Sequence, residues 1–355
     1  MCLYHKESSL PFRLALGKTT RAFFCISVAF FFSCALFKKN HDIRSKLATF
    51  KDESLEIYFS GSTQNVSPIT TPALALMGGG TDQDDAWAWF LKQANFGDVV
   101  AIRGSGGDGY NDMLINLGAN SVSSIVVKSA AAASNPQIIE RIRNAEAIFF
   151  AGGDQSDYAR KLPNSPAIKE INAAAKRGIP IGGTSAGLAI LGEFYFPAFN
   201  DSISSAESLS NPYHERLVLD RALLHLPSLE KMITDSHFKN RDRFGRLLAF
   251  MARIINDNWS DNVKGIALDE KTTLAIGQNG DAQIFSEGGH AYLLESTGRP
   301  QSCKKDYSLT FEKIKVWRLP AGTQFNFSNW KAIKFEPYEI NVTAGLLSSS
   351  AGSIY

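Results

Sequence analysis

From Pro72 onward, short apolar runs alternate with amphipathic stretches. The runs at 73–77, 99–103, 124–127, 147–151 and 179–181 are too short for helices and rich in Val, Ile, Leu and Phe. Such unbroken apolarity over a few positions is the pattern of strands buried on both faces. Between them, 84–93, 112–117, 136–143 and 167–176 repeat their apolar positions at helical spacing. The alternation predicts an α/β fold: a doubly wound, mostly parallel sheet sandwiched by helices, with right-handed crossovers. Further along, 232–233 and 265–268 read as strands and 247–255 as an apolar helix. The pair 272–276 and 282–285 flanks Gly277-Gln278-Asn279-Gly280-Asp281, an Asn-Gly turn signal that predicts a C-terminal β-hairpin region. No internal repeat is visible. The economical reading is one domain over 71–345 with a tail at 346–355.

The N-terminus breaks this pattern. Residues 1–21 carry Lys6, Arg13, Lys18 and Arg21 against Glu7, and an uncharged stretch covers 22–37. Sixteen residues fall short of the roughly 20 that cross a bilayer as a helix. With small residues at Ser33 and Ala35, segment 1–35 reads as a secretory signal, so export to a periplasmic or extracellular space is expected. The competing reading is an uncleaved membrane anchor, since Lys38 and Lys39 follow directly. Residues 36–70 are polar and read as a linker.

Composition narrows the function. The 355 residues carry 37 Lys and Arg against 35 Asp and Glu, a net charge of +2. That balance argues against a protein that coats nucleic acid. Removing 1–35 would leave 320 residues at −1, with Cys303 as the single thiol. Neither a disulfide scaffold nor a thiolate metal site fits such cysteine usage. No His/Asp/Glu spacing implies a metal, and no cofactor is expected. A dinucleotide site is not supported either, because Gly78-Gly79-Gly80-Thr81 lacks the G-x-G-x-x-G spacing.

Ligands of such sheets gather at the carboxyl ends of the strands. Those ends are rich in glycine here, at 78–80, 104–109 and 152–153. Gly183-Thr184-Ser185-Ala186-Gly187 follows one strand and precedes the helix-compatible 188–191, which is the strand–turn–helix context that gives a G-x-S-x-G pattern meaning. Small neighbours leave room for a sharp turn that projects the Ser185 hydroxyl, and the Ala186 amide can face an oxyanion. A serine needs a base in reach. Among His214, His225, His237 and His290, only His237 ends an apolar run, in Thr234-Asp235-Ser236-His237-Phe238. Arg241, Arg243 and Arg246 follow it at the start of the apolar helix, where cations oppose the helix dipole. Arginine forks bind carboxylates with paired bonds, so the cluster suits an acidic substrate. A third group should orient the histidine. Asp269 and Glu270 end another short strand, and both qualify.

Together, Gly152-Gly153-Asp154-Gln155, the Ser185 motif, the Asp235–Arg246 segment and Gly265-Ile266-Ala267-Leu268-Asp269-Glu270-Lys271-Thr272 resemble the cyanophycinase group of the S51 serine peptidases, which also contains aspartyl dipeptidases. Four motifs in order span 73–319. The resemblance implies Ser185 as nucleophile, His237 as general base and Glu270 as the orienting acid. It implies that Gly153 and Ala186 donate N–H groups to the oxyanion. Asp154, Gln155, Asp235, Arg241, Arg243 and Arg246 would line the substrate pocket, Asp235 meeting a guanidinium and the arginines carboxylates. The implied substrate is a peptide or polymer of β-aspartyl-arginine units, and the implied assembly a homodimer. Ser236 stands where the family commonly has Gln, which bears on the dipeptide unit that fits. A related isoaspartyl or α-aspartyl dipeptidase is the nearest alternative, and a catalytically silent binding protein is the alternative of another class. A class I glutamine amidotransferase has a related sheet but needs a cysteine at the nucleophile turn. No cysteine lies between Cys34 and Cys303.

Overall fold

In the computed structural model, which describes residues 49–355, the elements run in this order. The first half comprises β1 (Thr49–Lys51), β2 (Leu55–Gly61), β3 (Leu74–Met77), α1 (Asp84–Gln93), β4 (Asp98–Arg103), α2 (Asn111–Asn116), β5 (Ser121–Val127), α3 (Pro136–Arg143), β6 (Ala147–Phe150), α4 (Gln155–Lys161), α5 (Pro166–Lys176), β7 (Ile181–Thr184) and α6 (Ala186–Ala189). The second comprises β8 (Phe194–Tyr195), α7 (Ser205–Ser210), β9 (Asp220–Arg221), β10 (Met232–Asp235), α8 (Phe244–Asn256), β11 (Lys264–Leu268), β12 (Thr272–Ile276) and β13 (Asp281–Ser286). It closes with β14 (Ala291–Glu295), β15 (Phe311–Leu319), β16 (Gln324–Asn326), β17 (Lys331–Ala332), β18 (Tyr338–Thr343) and β19 (Leu346–Ser349).

The apolar runs become a parallel core in the order β5-β4-β6-β7-β3. Alternate side chains point to opposite faces of a strand. Leu74, Leu76, Val100, Ile102, Ile148 and Phe150 therefore pack against α3, α4 and α5. Ala75, Met77, Val99, Ala147 and Phe149 meet Trp87 and Phe90 of α1 on the other side. Both faces are covered, as expected of an α/β protein. Helix starts follow local chemistry: the Ser165 hydroxyl accepts the Ile168 N–H ahead of Pro166 in α5, and α1 opens with Asp84 and Asp85 and closes with Lys92.

Three features depart from the sequence reading. Antiparallel β2 and β12 flank the parallel strands, so residues 49–61 are part of the sheet rather than a linker. Leu55 and Ile57 of β2 are fully buried. The hairpin of β12 and β13 forms as expected, with Gly280 at φ 79° in its turn, but it extends the first sheet. Residues from β8 onward also build a second, eight-stranded sheet in the order β19-β18-β15-β14-β11-β10-β8-β9. One face packs on α8 through Ile233, Ala267 and Leu294, while Ile266, Leu268 and Leu293 join the core of the first sheet. Within the 346–355 tail, β19 pairs with β18. The expected secretory segment over 1–35 lies outside the described residues. Among the described residues, no helix is long and apolar enough to cross a membrane.

Candidate active site

The site forms where the two sheets bring their carboxyl ends together. Strand β7 ends in Thr184, and the chain turns at Ser185 with φ 54° and ψ −113° before entering α6. A positive φ in a residue with a side chain is a strained conformation that its surroundings must hold. Gly187 is needed for that packing, since a Cβ there would lie 2.0 Å from the Phe150 carbonyl oxygen. Strand β10 leads to His237 (φ 48°), and β11 leads to Glu270.

Ser185 Oγ lies 2.6 Å from His237 Nε2, and His237 Nδ1 lies 2.6 Å from Glu270 Oε1. An ionised carboxylate can only accept, so Nδ1 carries the proton and Nε2 is left to accept from the serine hydroxyl. Glu270, not Asp269, therefore reaches the histidine. The Asp269 oxygens accept the backbone N–H groups of Lys239 (2.9 Å) and His290 (3.0 Å). Asp269 thus pins the loop after His237 to the end of β11, and burial raises its pKa. Burial likewise pushes the His237 imidazole below its ordinary 6.5. The bond to Glu270 opposes that shift, and the charges of Arg241 and Arg243 add to it.

The glycines after β3 tie these parts together, a role the sequence did not reveal. Gly78 accepts the His237 N–H at 2.8 Å, Met77 accepts the Ser185 N–H at 3.1 Å, and Gly79 accepts the Lys271 N–H at 2.8 Å. A Cβ on Gly79 would stand 2.5 Å from the His237 ring and 3.1 Å from Ser185 Cβ. Three successive glycines at a strand end were the available signal. Asp82 beyond them accepts from the Thr184 hydroxyl (2.8 Å) and from Tyr110 (3.3 Å), bracing the turn from below.

The other expected residues divide into two groups. Ala186 follows the serine directly, Gly153 and Gln155 follow β6, and Arg241 is near enough to His237 for its charge to act on the ring. Ala186 opens α6, where first-turn N–H groups have no intrahelical acceptor. Gly152, next to Gly153, would place a Cβ 3.4 Å from that of Ser185. Gln155 is half-buried, with its amide 3.4 Å from the Phe196 carbonyl, and the Arg241 side chain is exposed. Asp154 is instead the N-cap of α4, accepting from the Ser156 N–H at 2.8 Å. Asp235 and Arg246 are turned inward. They are 1% and 2% exposed and pair with each other: Arg246 Nε meets Oδ2 at 2.8 Å and Nη2 meets Oδ1 at 2.5 Å. Burial would raise the Asp235 pKa, but Arg246 and Arg243 outweigh it and hold the carboxyl below its ordinary 3.8. Arg243 is 9% exposed and donates to the Ser236 carbonyl at 2.8 Å, and burial pushes it down to about 10. Asp235, Arg243 and Arg246 thus form a buried charge cluster beside Ser236, in which the Asp235 carboxylate and the Arg246 guanidinium are occupied by each other.

A groove of about 610 Å³ runs from Thr81–Asp85 to Gln283–Glu287 and carries Asp82, Asp84, Asp85 and Glu287; Thr81 follows Gly80, where a Cβ would lie 3.2 Å from that of Glu270. Among the described residues, no group of His, Cys, Asp and Glu is arranged to hold a metal. Cys303 is buried, which pushes its thiol up to about 12 and keeps it protonated.

A model described as Peptidase family S51 matches residues 109–283, a range that holds Ser185, His237 and Glu270. Over that range, just under half of the chain, the protein is similar to peptidase family S51. The chain is 28% identical to a cyanophycinase of Synechococcus elongatus over 180 residues, which is 50% of this chain and 51% of that protein. It is 28% identical to a cyanophycinase of Geminocystis herdmanii over 227 residues, 62% of this chain and 76% of the relative. The chain thus spans about half the length of the first of these relatives. A crystal structure of a peptidase from an acI-B1 Actinobacterium is similar over 79% of this chain and 97% of its own, at 17% identity and a TM-score of 0.45.

Proposed function

We propose that this chain is a serine-type peptidase that hydrolyses the aspartate backbone of cyanophycin, releasing β-aspartyl-arginine dipeptides with their β-aspartyl bond intact. The observation that carries the reading is the hydrogen-bonded series Ser185–His237–Glu270 at the meeting of three strand ends. In the first step Ser185 Oγ attacks the carbonyl carbon and its proton passes to His237 Nε2, while Glu270 stabilises the imidazolium. The oxyanion faces the N–H groups of Gly153 and Ala186. Collapse breaks the C–N bond, and His237 returns the proton to the leaving amine. Water, deprotonated by His237, then hydrolyses the ester to Ser185. Arg241, exposed at the rim, would take a substrate carboxylate as a paired acceptor. The carboxylates of the adjoining groove favour a chain bearing guanidinium groups, a task Asp235 cannot perform while bound to Arg246. Export through residues 1–35 and a homodimeric state belong to the same proposal, the first on the N-terminal sequence and the second on the family resemblance.

The substrate reading is tested by giving the purified full chain cyanophycin, a β-aspartyl dipeptide panel and α-aspartyl dipeptides in parallel. Polymer turnover at the highest kcat/KM is expected. Turnover of dipeptides with none of the polymer would move the assignment to a dipeptidase and leave the triad in place.

The pH dependence follows from the charges on His237. The base must be neutral, and its pKa is depressed, so activity is lost as pH falls through a midpoint below 6.5. Arg241 contributes to that depression. Arg241→Met should therefore move the acid limb of kcat/KM to higher pH while also raising KM. An acid limb that stays in place in this variant would contradict the assignment of His237 as the titrating base.

A further inference from the structure

The segment from His237 to Phe244 is short, strained and doubly fastened. His237 and Asp242 both have left-handed backbones, at φ 48° and 45°. Between them the chain folds on itself: His237 accepts the Arg241 N–H at 3.0 Å, Lys239 the Asp242 N–H at 3.1 Å and Phe238 the Arg243 N–H at 3.0 Å. Arg241 is turned outward and Arg243 inward by this arrangement. The His237 end is held by Gly78 and Glu270. The Asp242 end is held by a residue more than a hundred positions away. The Tyr355 hydroxyl donates to Asp242 Oδ1 at 2.9 Å and accepts the Phe244 N–H at 3.0 Å. Phe244 opens α8, so this N–H is one of the first-turn donors without an intrahelical acceptor. The Tyr355 ring is set by edge contacts with Phe238, Phe244 and Tyr292 at centroid distances of 5.8, 5.6 and 6.1 Å.

We propose that Tyr355 is a positioning residue of the active site: its hydroxyl locks Asp242 in the left-handed conformation that presents Arg241 to the substrate. The inference rests on the proposed role of Arg241 at the rim. A left-handed residue with a side chain keeps its conformation only where its surroundings over-determine it. Here the phenol supplies a bond to the side chain of Asp242 and another to the backbone two residues on. Losing it frees the Arg241 end of the segment and leaves the His237 end fastened. Substrate recognition should weaken while the chemical step persists.

The test compares Tyr355→Phe, Asp242→Ala, their double variant and Asp242→Asn in the full chain. Tyr355→Phe keeps the ring and its packing. Its KM for cyanophycin should rise about three- to tenfold, the scale of one lost hydrogen bond, with kcat little changed. Asp242→Ala should raise KM by no more than this, and the double variant should match Tyr355→Phe, since losing the hydroxyl already removes the bond to Asp242 along with that to the Phe244 N–H. Asp242→Asn retains an oxygen acceptor and should keep the wild-type KM. Amide hydrogen exchange over 238–244 needs no substrate and should speed up in Tyr355→Phe. Wild-type KM together with wild-type exchange in that variant would overturn the proposal, as would losses that multiply in the double variant. Failure of the substrate reading would show separately, as absent polymer turnover by the wild-type chain, and the exchange rates would then decide the positioning role alone. If Tyr355→Phe does not fold, Asp242→Ala supplies the same readouts.

Discussion

Replacing Ser185 with Ala should lower kcat/KM on cyanophycin by roughly 10⁴-fold or more, the scale on which serine hydrolases depend on their nucleophile. The effect is specific to chemistry. The Ser185 hydroxyl makes one side-chain contact, to His237, and its backbone bond to Met77 does not depend on the side chain. Alanine at φ 54° meets the same steric demand as serine, so the turn and the fold should survive. Matched unfolding curves together with lost turnover would separate a missing nucleophile from a missing structure. Glu270→Gln should also act on kcat, because an amide in place of the carboxylate no longer fixes the Nδ1–H tautomer of His237.

Asp235→Ala should instead act on stability. Its carboxylate holds Arg246 by two bonds in a space where both side chains are 2% exposed. Removing one partner of such a pair leaves an uncompensated buried charge, which costs about 3–5 kcal/mol. That is a large share of the about 5–15 kcal/mol that holds a typical domain folded. Denaturant unfolding should show the loss, and Asp235→Ala combined with Arg246→Met should recover much of it by replacing both charges with apolar groups. The sign with pH follows from the depressed folded-state pKa. The contribution of the pair is full above about pH 4, near the ordinary Asp pKa, and is lost as pH falls through the lower folded value. An Asp235→Ala chain with wild-type stability and only a raised KM would mean that the carboxylate faces substrate after all.

The parallel half of the molecule was legible because its strands are buried on both faces. Ala147–Phe150 and Leu74–Met77 read as unbroken apolar runs, and Asp84–Gln93 and Pro136–Arg143 form helices within the bounds their periodicity suggested. The second sheet was far less visible. Its strand Phe311–Leu319 alternates between buried and exposed positions, and long, largely irregular connections separate it from its partners β14 and β18. Residues 49–61 look polar overall, yet buried Leu55 and Ile57 alternate with half-buried positions in a strand paired to Ser121–Val127.

The site followed the same division. Ser185 and His237 could be singled out because each ends an apolar run with small or polar residues after it. The choice between Asp269 and Glu270 could not be made from adjacent positions. In the structure Glu270 reaches Nδ1, while Asp269 meets two backbone N–H groups. Asp235 and Arg246 illustrate the limit more sharply. Their sequence pattern is that of charges lining a pocket, but a carboxylate eleven residues before an arginine satisfies it equally by turning inward to meet it. Nothing in the spacing distinguishes the two outcomes. Only the burial of Met232–Asp235 between its neighbours in the sheet does.

Mass analysis of the products formed when the purified full chain is incubated with cyanophycin tests the proposed activity most directly. Soluble β-aspartyl-arginine dipeptide should accumulate with the wild-type chain and be absent with Ser185→Ala. Intact polymer after prolonged incubation with folded wild-type chain, or equal dipeptide release by the Ser185→Ala chain, would contradict it.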